Sequence, residues 1–230
     1  MNNLISAKNL VKTFKSGQSE IRVLKGLDFE VAEGEFVAII GRSGSGKSTL
    51  LYQLSLLDRP TSGEIIFEGR NTQNLTDDER TKLRLHELGY VFQDYALVPE
   101  LTALENVLIP LLMQEMDRKL AIDKAIEHLT LVGLGDRVNN LPSQLSGGEQ
   151  QRVSIARAIA HEPKIIFADE PTANLDNETA LTIIKIFDEL HKQGQTILMV
   201  THEEEYTRVA DRTVTLFDGI IKEDKRHHSS

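Results

Sequence analysis

The chain has 230 residues, 40% of them hydrophobic, which is enough to bury one substantial core. Its 35 acidic and 26 basic residues give a net charge of −9, and this argues against a dedicated nucleic-acid binder, which needs a basic face. It has no cysteine, which excludes disulfide and thiolate chemistry. The N-terminal stretch lacks the apolar segment of a signal peptide, and no apolar run approaches the ~18 residues of a membrane span. We therefore expect a soluble protein that meets a membrane only through a partner.

The first third of the chain alternates short β-rich runs with turns. The runs are LISAKNL, LDFEVAEGE, GEFVAII and GEIIFEG, and Gly34, Gly63 and Gly69 punctuate them. The apolar strand FVAII leads directly into the glycine-rich stretch GRSGSGKST, and KSTLLYQLSLL after it predicts a helix. This order of strand, glycine-rich loop and helix places the loop at the end of a buried strand.

The middle of the chain, from about residue 94 to 144, changes to helical periodicity in ALENVLIPLLM and KLAIDKAIEHLTLVGL, which predicts a helical insertion. The last third returns to alternation, with strands KIIFA, TILMV and RTVTLF and a short helix after His202. One further helix has an apolar face formed by Ala180, Ile183, Ile184, Phe187 and Leu190. Alternating strands and helices predict a parallel sheet with right-handed crossovers. The tail KEDKRHHSS is predicted to fray, and its two histidines are interpreted as tail composition rather than metal ligands.

The stretch GRSGSGKS fits the phosphate-binding pattern G-x-x-x-x-G-K-[ST]. Its glycines let successive backbone N–H groups point at phosphates, and the following helix adds its positive N-terminal end. Lys47 should reach the β- and γ-phosphates, Ser48 should coordinate Mg²⁺, and Thr49 should touch the α-phosphate. The alternative is a plain strand–turn–helix corner, which needs neither a lysine nor so many glycines.

Two carboxylates follow the strand in IIFADE. Asp169 ends the strand, where it can hold Mg²⁺ through water, and Glu170 can accept a proton from an attacking water. Alternatively, both residues merely begin a turn before Pro171. The phosphate loop upstream favours the catalytic interpretation.

A second glycine-rich stretch, LSGGEQQR, begins at Leu145. Ser146 is a good N-cap for a helix continuing through EQQRVSIARAIA. The exposed N–H groups of Gly147 and Gly148, together with the helix dipole, would form a second anion site. Because the first loop already supplies phosphate contacts in its own site, the second loop could serve another copy of the nucleotide.

Taken together, these motifs resemble those of ABC-type ATPases, and the likeness extends over the whole chain. The motifs occur in the expected order: GRSGSGKST, Gln93 in VFQD, the signature LSGGEQQR, IIFADEPT, Asp176 in NLD, and His202 in VTHE. The resemblance implies an α/β fold with a P-loop NTPase core built on a parallel-type sheet, an N-terminal antiparallel β subdomain and a helical insertion. The chain would be a single domain. Residues 1–93 and 145–230 would form the catalytic core and the β subdomain. The helical insertion would begin at about residues 94–144 and continue into a signature helix over 146–160.

The resemblance also implies cofactors and site residues. The cofactors would be ATP and Mg²⁺, with Ser48, Gln93 and Asp169 at the metal. The ATP contacts within one subunit would come from Phe14, Gly41, Arg42, Ser43, Gly44, Ser45, Gly46, Lys47, Ser48 and Thr49. A head-to-tail homodimer would sandwich two ATP, and the contacts from the opposite subunit would come from Ser146, Gly147, Gly148, Glu149 and Asp176. The catalytic residues would be Lys47, Gln93, Glu170 and His202. Phe14 would stack on adenine, unless it is a core residue, and His202 could otherwise be a satisfied strand-end histidine.

The stretches LLDRPTSGEI and LGYVFQDYALVPELTALENV look like those of the lipoprotein-releasing and macrolide-exporting branch, although subunits for antimicrobial-peptide export and cell division share much of them. A cytoplasmic subunit, peripheral on the inner face of the membrane, would drive a separate transmembrane permease that docks near Gln93 to Leu101. Tyr95, Leu97, Val98 and Leu101 would contact this permease, unless they simply pack the insertion. The alternatives are a soluble ABC-type ATPase acting on nucleic acid or ribosomes, and a nucleotide-gated binding module without catalysis. The acidic charge opposes the first and Glu170 opposes the second.

Overall fold

The computed structural model describes residues 3–17 and 19–227. The strands are β1 (Asn3–Ser16), β2 (Ser19–Ala32), β3 (Phe36–Ile40), β4 (Ser62–Phe67), β5 (Arg70–Asn71), β6 (Leu88–Val91), β7 (Ile165–Asp169), β8 (Thr196–Val200), β9 (Arg212–Phe217) and β10 (Ile220–Arg226). The α-helices are α1 (Lys47–Leu54), α2 (Asp77–Glu87), α3 (Ala103–Met113), α4 (Arg118–Leu131), α5 (Gly147–Ile159) and α6 (Asn177–Lys192). Short 3₁₀ turns lie at Thr72–Asn74, Pro142–Gln144 and Glu204–Val209.

Two sheets form the framework. The central sheet has six strands in the order β10-β9-β3-β8-β7-β6, and all neighbours pair in parallel except β9 and β10. The second sheet has four antiparallel strands in the order β2-β1-β4-β5. The predicted α/β class, with a parallel core sheet and an N-terminal antiparallel sheet, is confirmed.

The central sheet is buried on both faces, and its strand β3 shows why. Side chains alternate between the two faces of a strand. Phe36 and Ala38 therefore join an apolar cluster with helices α3 to α6, whereas Val37 and Ile39 join a second cluster with α1 and the antiparallel sheet. A strand buried on both faces needs an uninterrupted apolar run, which is what FVAII supplies.

Helices α3 and α4 pack against each other and against α5. Helix α3 begins with a capping box in which the Thr102 hydroxyl accepts the N–H of Glu105, and the Glu105 carboxylate accepts the N–H of Thr102. Its bounds match the predicted stretch ALENVLIPLLM. Within the described residues, no helix is long and apolar enough to cross a membrane.

Three elements differ from the sequence prediction. Helix α1 stops at Leu54 instead of continuing to Leu57, because Leu56 adopts a left-handed φ of 60°. Helix α2 was not predicted, since it buries only Arg80 and so lacks an apolar period; its capping box between Thr76 and Glu79 was the available signal. Strand β6 was also missed, being only four residues long.

The prediction of a frayed tail over residues 222–230 is wrong for residues 222–226, which belong to β10, the strand that pairs with β9. The pairing is stabilised by a bidentate contact in which the Arg212 guanidinium donates to both carboxylate oxygens of Asp224, at 2.6 and 2.7 Å. The His227 imidazole lies 2.8 Å from the Thr213 hydroxyl, and His228 lies outside the described residues. Across 3–17 and 19–227, no group of three or more His, Asp or Glu side chains forms a metal-binding cluster.

Candidate functional site

The loop between β3 and α1 has the geometry of an anion cradle. Gly41 has a φ of 155° and Gly46 a φ of 101°. A Cβ atom at Gly41 would lie 2.2 Å from the carbonyl oxygen of Leu216, so a larger residue cannot be placed there. Gly46 precedes α1 without capping it through a side chain. The first N–H groups of α1 are therefore left for a ligand.

Lys47 is turned back into this loop and is buried. Its ammonium donates to the carbonyl of Gly41 at 2.9 Å and to that of Arg42 at 3.3 Å. The same Nζ lies 3.8 Å from Oε1 of Glu170. A positive charge is thus held in the centre of the cradle, where phosphate oxygens would meet it.

Ser48 and Asp169 meet where α1 faces the end of β7. The Ser48 hydroxyl donates to Oδ1 of Asp169 at 2.8 Å. Burial raises the pKa of Asp169, as does the neighbouring Glu170 charge, whereas the Ser48 hydrogen bond and Lys47 act in the opposite direction. A hydroxyl and one carboxylate are hard oxygen donors that fit Mg²⁺, which in such sites takes its remaining ligands from phosphates and water.

Glu170 lies between two basic side chains. Its backbone has a left-handed φ of 43°, and its N–H donates to the carbonyl of Val200 at 3.0 Å. Oε2 is 3.3 Å from Nδ1 of His202, which follows β8, and Oε1 faces Lys47. A left-handed conformation is costly for a non-glycine residue and is concentrated at functional sites. The parallel pairing of β7 and β8 is what brings Glu170 and His202 together.

A cleft of about 490 Å³ contains Lys47, Ser48 and Glu170. His202 lines a neighbouring cavity of about 570 Å³ with Gly41 and Arg42, and Ser43 lines both. The cleft is lined by the phosphate loop together with Val23, Gln93 and Glu170. Val23 was missed by the sequence prediction and carries no recognisable signal, because it is an ordinary strand residue of β2. Gln93 follows β6, and its carbonyl accepts a hydrogen bond from the Asn174 side chain at 3.2 Å, a second contact that the sequence did not reveal.

The signature stretch folds as the predicted N-cap and helix. The Ser146 hydroxyl accepts the N–H of Glu149 at 3.3 Å, and the Glu149 carboxylate accepts the N–H of Ser146 at 2.8 Å. This second contact lowers the pKa of Glu149. Packing requires Gly148, because a Cβ there would lie 2.2 Å from Cγ2 of Thr179, whereas a Cβ at Gly147 would lie 2.9 Å from the Tyr95 hydroxyl, the far end of a side chain that can shift. The hydroxyl-bearing Ser146 itself is exposed.

Neither the signature nor Asp176 lines the cleft around the phosphate loop of the same chain. Asp176 is exposed and caps α6, with its carboxylate accepting the N–H of Thr179 at 3.0 Å and the Thr179 hydroxyl at 2.7 Å. Phe14 is 43% exposed, which rules out the core interpretation, but it does not line the cleft either. Lys12 places its ammonium 5.0 Å from the centre of the Phe14 ring.

The sequence model of the family described as ABC transporter matches residues 24–173, most of the chain and all of the elements from the phosphate loop to Glu170. This chain belongs to the ABC transporter family. It is an ATP-binding subunit of the ABC type, and ATP hydrolysis is its activity.

Relatives and solved structures agree with this assignment. An uncharacterized ABC transporter ATP-binding protein of Methanocaldococcus jannaschii is 48% identical over 220 residues, covering 96% of this chain and 98% of the relative. The lipoprotein-releasing system ATP-binding protein LolD of Aquifex aeolicus is 46% identical over 96% of this chain and 97% of its own length.

The macrolide export ATP-binding/permease protein MacB of Chlorobium luteolum is 46% identical over 97% of this chain, and the chain spans 33% of that relative. Relatives of both export types confirm the predicted branch. A dimeric ATP-binding cassette in a post-hydrolysis state with ADP and Pi superimposes with a TM-score of 0.92 at 42% identity, over 98% of this chain and 100% of that one. The nucleic-acid alternative finds no support in these matches.

Proposed function

We propose that two copies of this chain close around two ATP molecules and use their hydrolysis to drive a membrane-spanning permease. The proposal rests on the observation that the motifs lie in two separate places on one chain. Lys47, Asp169, Glu170 and His202 converge in one place, whereas exposed Ser146 lies outside the cleft of its own chain. The dimeric form of the superimposable cassette supports a second copy as the source of the missing wall.

Within one subunit, the proposed roles follow from the contacts. The loop from Gly41 to Thr49 binds the phosphates through backbone N–H groups, with Lys47 at the β- and γ-phosphates. Glu170 takes the proton of the attacking water through a carboxylate oxygen. His202, 3.3 Å from Glu170, orients this carboxylate and reaches the γ-phosphate, and Gln93 contacts the same region from the edge of the cleft. Ser48 and Gln93, with Asp169 acting through water, would hold Mg²⁺, which would supply positive charge to neutralise the phosphates.

The remaining ATP contacts are proposed to come from two further places. Ser146, Gly147, Gly148 and Glu149 present the N-terminal end of α5 to the nucleotide of the opposite subunit, and the exposed Asp176 crosses the same seam. Phe14 offers an exposed ring for adenine stacking on the strand next to that of Val23, which does line the cleft.

The partner surface is proposed to be an apolar groove between the end of α1, α2, α3 and α5. Its cavity volume is about 320 Å³. The apolar lining includes Leu57, Leu85, Phe92, Ile109 and Met113. Leu57 and Met113 are 44% and 59% exposed, and such exposed apolar side chains beside one another mark an interaction site.

The segment from Gln93 to Leu101, predicted as the docking site, follows the groove residue Phe92 directly in sequence. Leu97 packs partly on the core while Val98 is 37% exposed, so this segment supplies part of the proposed surface. Arg157, on α5, fixes it by donating to the carbonyls of Tyr95 and Ala96 at 2.9 and 2.6 Å. A permease segment in the groove would thus touch the element that carries Gln93. It would also hold the subunit on the inner face of a membrane, for the export or release of a lipoprotein, antibiotic or peptide. The names of the lipoprotein-releasing LolD and macrolide-export MacB relatives support this cargo class.

Size-exclusion chromatography with ATP and Mg²⁺ tests the two-chain site. Glu170→Gln should slow hydrolysis by ~10²–10⁴-fold, because the proton acceptor is lost, and should accumulate an ATP-bound dimer. Adding Ser146→Arg should abolish this dimer, because a bulky cation then blocks the start of α5, while ATP binding to the intact phosphate loop persists. Ser143→Arg, at an exposed residue on the neighbouring 3₁₀ turn, is the matched control and should leave the dimer intact. A dimer that survives Ser146→Arg would show that the signature does not face the nucleotide of the other subunit.

A further inference from the structure

A buried hydroxyl without a partner lies between the hydrolysis site and the groove. Tyr90, on β6, has its ring against Phe92, Tyr52 and Phe167, with centroid distances of 4.3, 6.0 and 6.5 Å. Its hydroxyl oxygen is buried, yet it makes no hydrogen bond of normal geometry with any of the described residues. Unpaired buried polar groups are uncommon in native proteins, and each one calls for a physical explanation.

The Tyr90 hydroxyl has Asp169 as its charged neighbour. Tyr90 pairs with Phe167 across β6 and β7, and Asp169 lies two residues farther along β7, on the same face. Burial raises the pKa of Tyr90 and the Asp169 carboxylate raises it further, so the hydroxyl keeps its proton and can donate it in a hydrogen bond. The Tyr52 hydroxyl also faces this point, but from the exposed side of α1.

The Asp169 carboxylate has room for this donor. Oδ1 accepts the Ser48 hydroxyl at 2.8 Å. The Tyr90 hydroxyl already acts on this carboxylate as a donor outside normal hydrogen-bond geometry, and this contact acts to lower the pKa of Asp169, which burial raises. A carboxylate held through one oxygen can rotate about its last bond, and a second donor would fix its plane. Groups that hydrogen-bond a metal-site carboxylate in this way tune the metal affinity without touching the metal.

The same tyrosine also forms part of the groove proposed for the permease. Tyr90 and Phe92 line that groove together with side chains of α2, α3 and α5. Their rings are in contact, so an occupant that presses on Phe92 displaces the Tyr90 ring as well. Displacement of the ring moves the hydroxyl relative to Asp169.

We propose that Tyr90 is a positioning residue that links occupation of the groove to the orientation of the Asp169 carboxylate. When Mg²⁺ and nucleotide are bound, its hydroxyl donates to Asp169. When the ring shifts, this hydrogen bond is lost and the metal site loosens. The inference rests on the proposed function of the site and adds a second connection to the groove, besides the segment that carries Gln93.

The first test is the Mg²⁺ dependence of nucleotide binding, measured at equilibrium with a fluorescent mant-ADP and therefore without hydrolysis. Tyr90→Phe removes only the hydroxyl and should raise the Mg²⁺ midpoint by about three- to tenfold, the effect of one lost hydrogen bond. Tyr206→Phe, at a buried tyrosine that does not line the cleft, is the matched control and should leave the midpoint unchanged. An unchanged midpoint in Tyr90→Phe, or an equal shift in Tyr206→Phe, would overturn the inference.

Stability without ligand separates this role from a merely structural one. Because the hydroxyl makes no hydrogen bond of normal geometry in the ligand-free structure, Tyr90→Phe should unfold at the same or a higher urea concentration than the wild type. Only the extra stability conferred by Mg²⁺ and ADP should fall. A ligand-free variant less stable than the wild type would show that the hydroxyl is already paired, which contradicts the proposal.

The link to the groove can be tested without the permease, because coupling between two sites is reciprocal. The chain has no tryptophan, so Leu57→Trp places a single fluorophore at the edge of the groove. Mg²⁺ and ADP should shift its emission, and adding Tyr90→Phe should remove the shift. No shift, or a shift that survives Tyr90→Phe, would refute the link. If neither the wild type nor Leu57→Trp bound the nucleotide, the proposed function itself would be refuted.

Discussion

The contact between Gly148 and Thr179 allows a sharp test of how the signature helix is seated. Gly148 is buried, and a Cβ atom built on it would lie 2.2 Å from Cγ2 of Thr179, far inside the ~3.5–4.0 Å at which carbon atoms pack. Thr179 has no easy escape, because rotating its side chain breaks the 2.7 Å hydrogen bond from its hydroxyl to Asp176. Gly148→Ala must therefore overpack the contact between α5 and α6 or weaken the cap of α6.

Overpacking a tight site costs about 1–3 kcal/mol, and alanine regains up to about 1 kcal/mol of helix propensity. We therefore expect Gly148→Ala to lower the free energy of unfolding by about 1–2 kcal/mol. Thr179→Ser removes the clashing methyl group and keeps the hydroxyl that binds Asp176. The double variant should recover most of the loss, with a coupling energy of about 1–2 kcal/mol.

Urea denaturation followed by circular dichroism measures all four members of this cycle. Gly147→Ala is the matched control, because its clash is with the Tyr95 hydroxyl at 2.9 Å and Thr179→Ser cannot relieve it. The reasoning is refuted if Gly148→Ala is as stable as the wild type. It is equally refuted if Thr179→Ser fails to rescue Gly148→Ala, or rescues Gly147→Ala as well.

Two further predictions concern the groove and strand β10. Met113→Glu should leave unfolding within about 0.5 kcal/mol of the wild type, because the side chain is 59% exposed, but should abolish recovery of a permease from detergent-solubilised membranes. Leu120→Glu, on α4 outside the groove and 50% exposed, is its control and should retain the permease. Asp224→Asn should lower stability at pH 7 by about 1 kcal/mol or less, since Arg212 lowers the pKa of Asp224 and the pair is partly screened by solvent. Because the pKa of the Asp224 carboxyl is lower in the folded than in the unfolded state, the ionised group stabilises the fold at pH values above its unfolded pKa, and this stabilisation is lost as the pH falls through its folded pKa. The stability difference between Asp224→Asn and the wild type, measured by urea unfolding, should therefore shrink below about pH 4. A constant difference would contradict this account.

The candidate phosphate loop and signature could be recognised from the sequence, because each of these motifs is a local arrangement. GRSGSGKST contains its own backbone path and its own lysine, and Ser146 with Glu149 specifies a capped helix start within four residues. The strands FVAII and TILMV were predictable from uninterrupted apolar runs, since strands buried on both faces tolerate nothing else. By contrast, α2 and β10 are mainly polar, and the salt bridge that stabilises β10 joins residues 12 positions apart.

Which of these local segments come into contact depends on the tertiary fold. The pairing of β7 with β8 places Glu170 beside His202. The pairing of β6 with β7 places Tyr90 near Asp169, although the two residues are 79 positions apart in the sequence. The fold likewise leaves Phe14 at the surface and packs the two glycines of the signature against Tyr95 and Thr179. Such contacts depend on strand order and close approach between distant segments. Neither strand order nor these close approaches can be predicted from composition and spacing along the chain, because the local sequence around each residue is compatible with several different tertiary contacts.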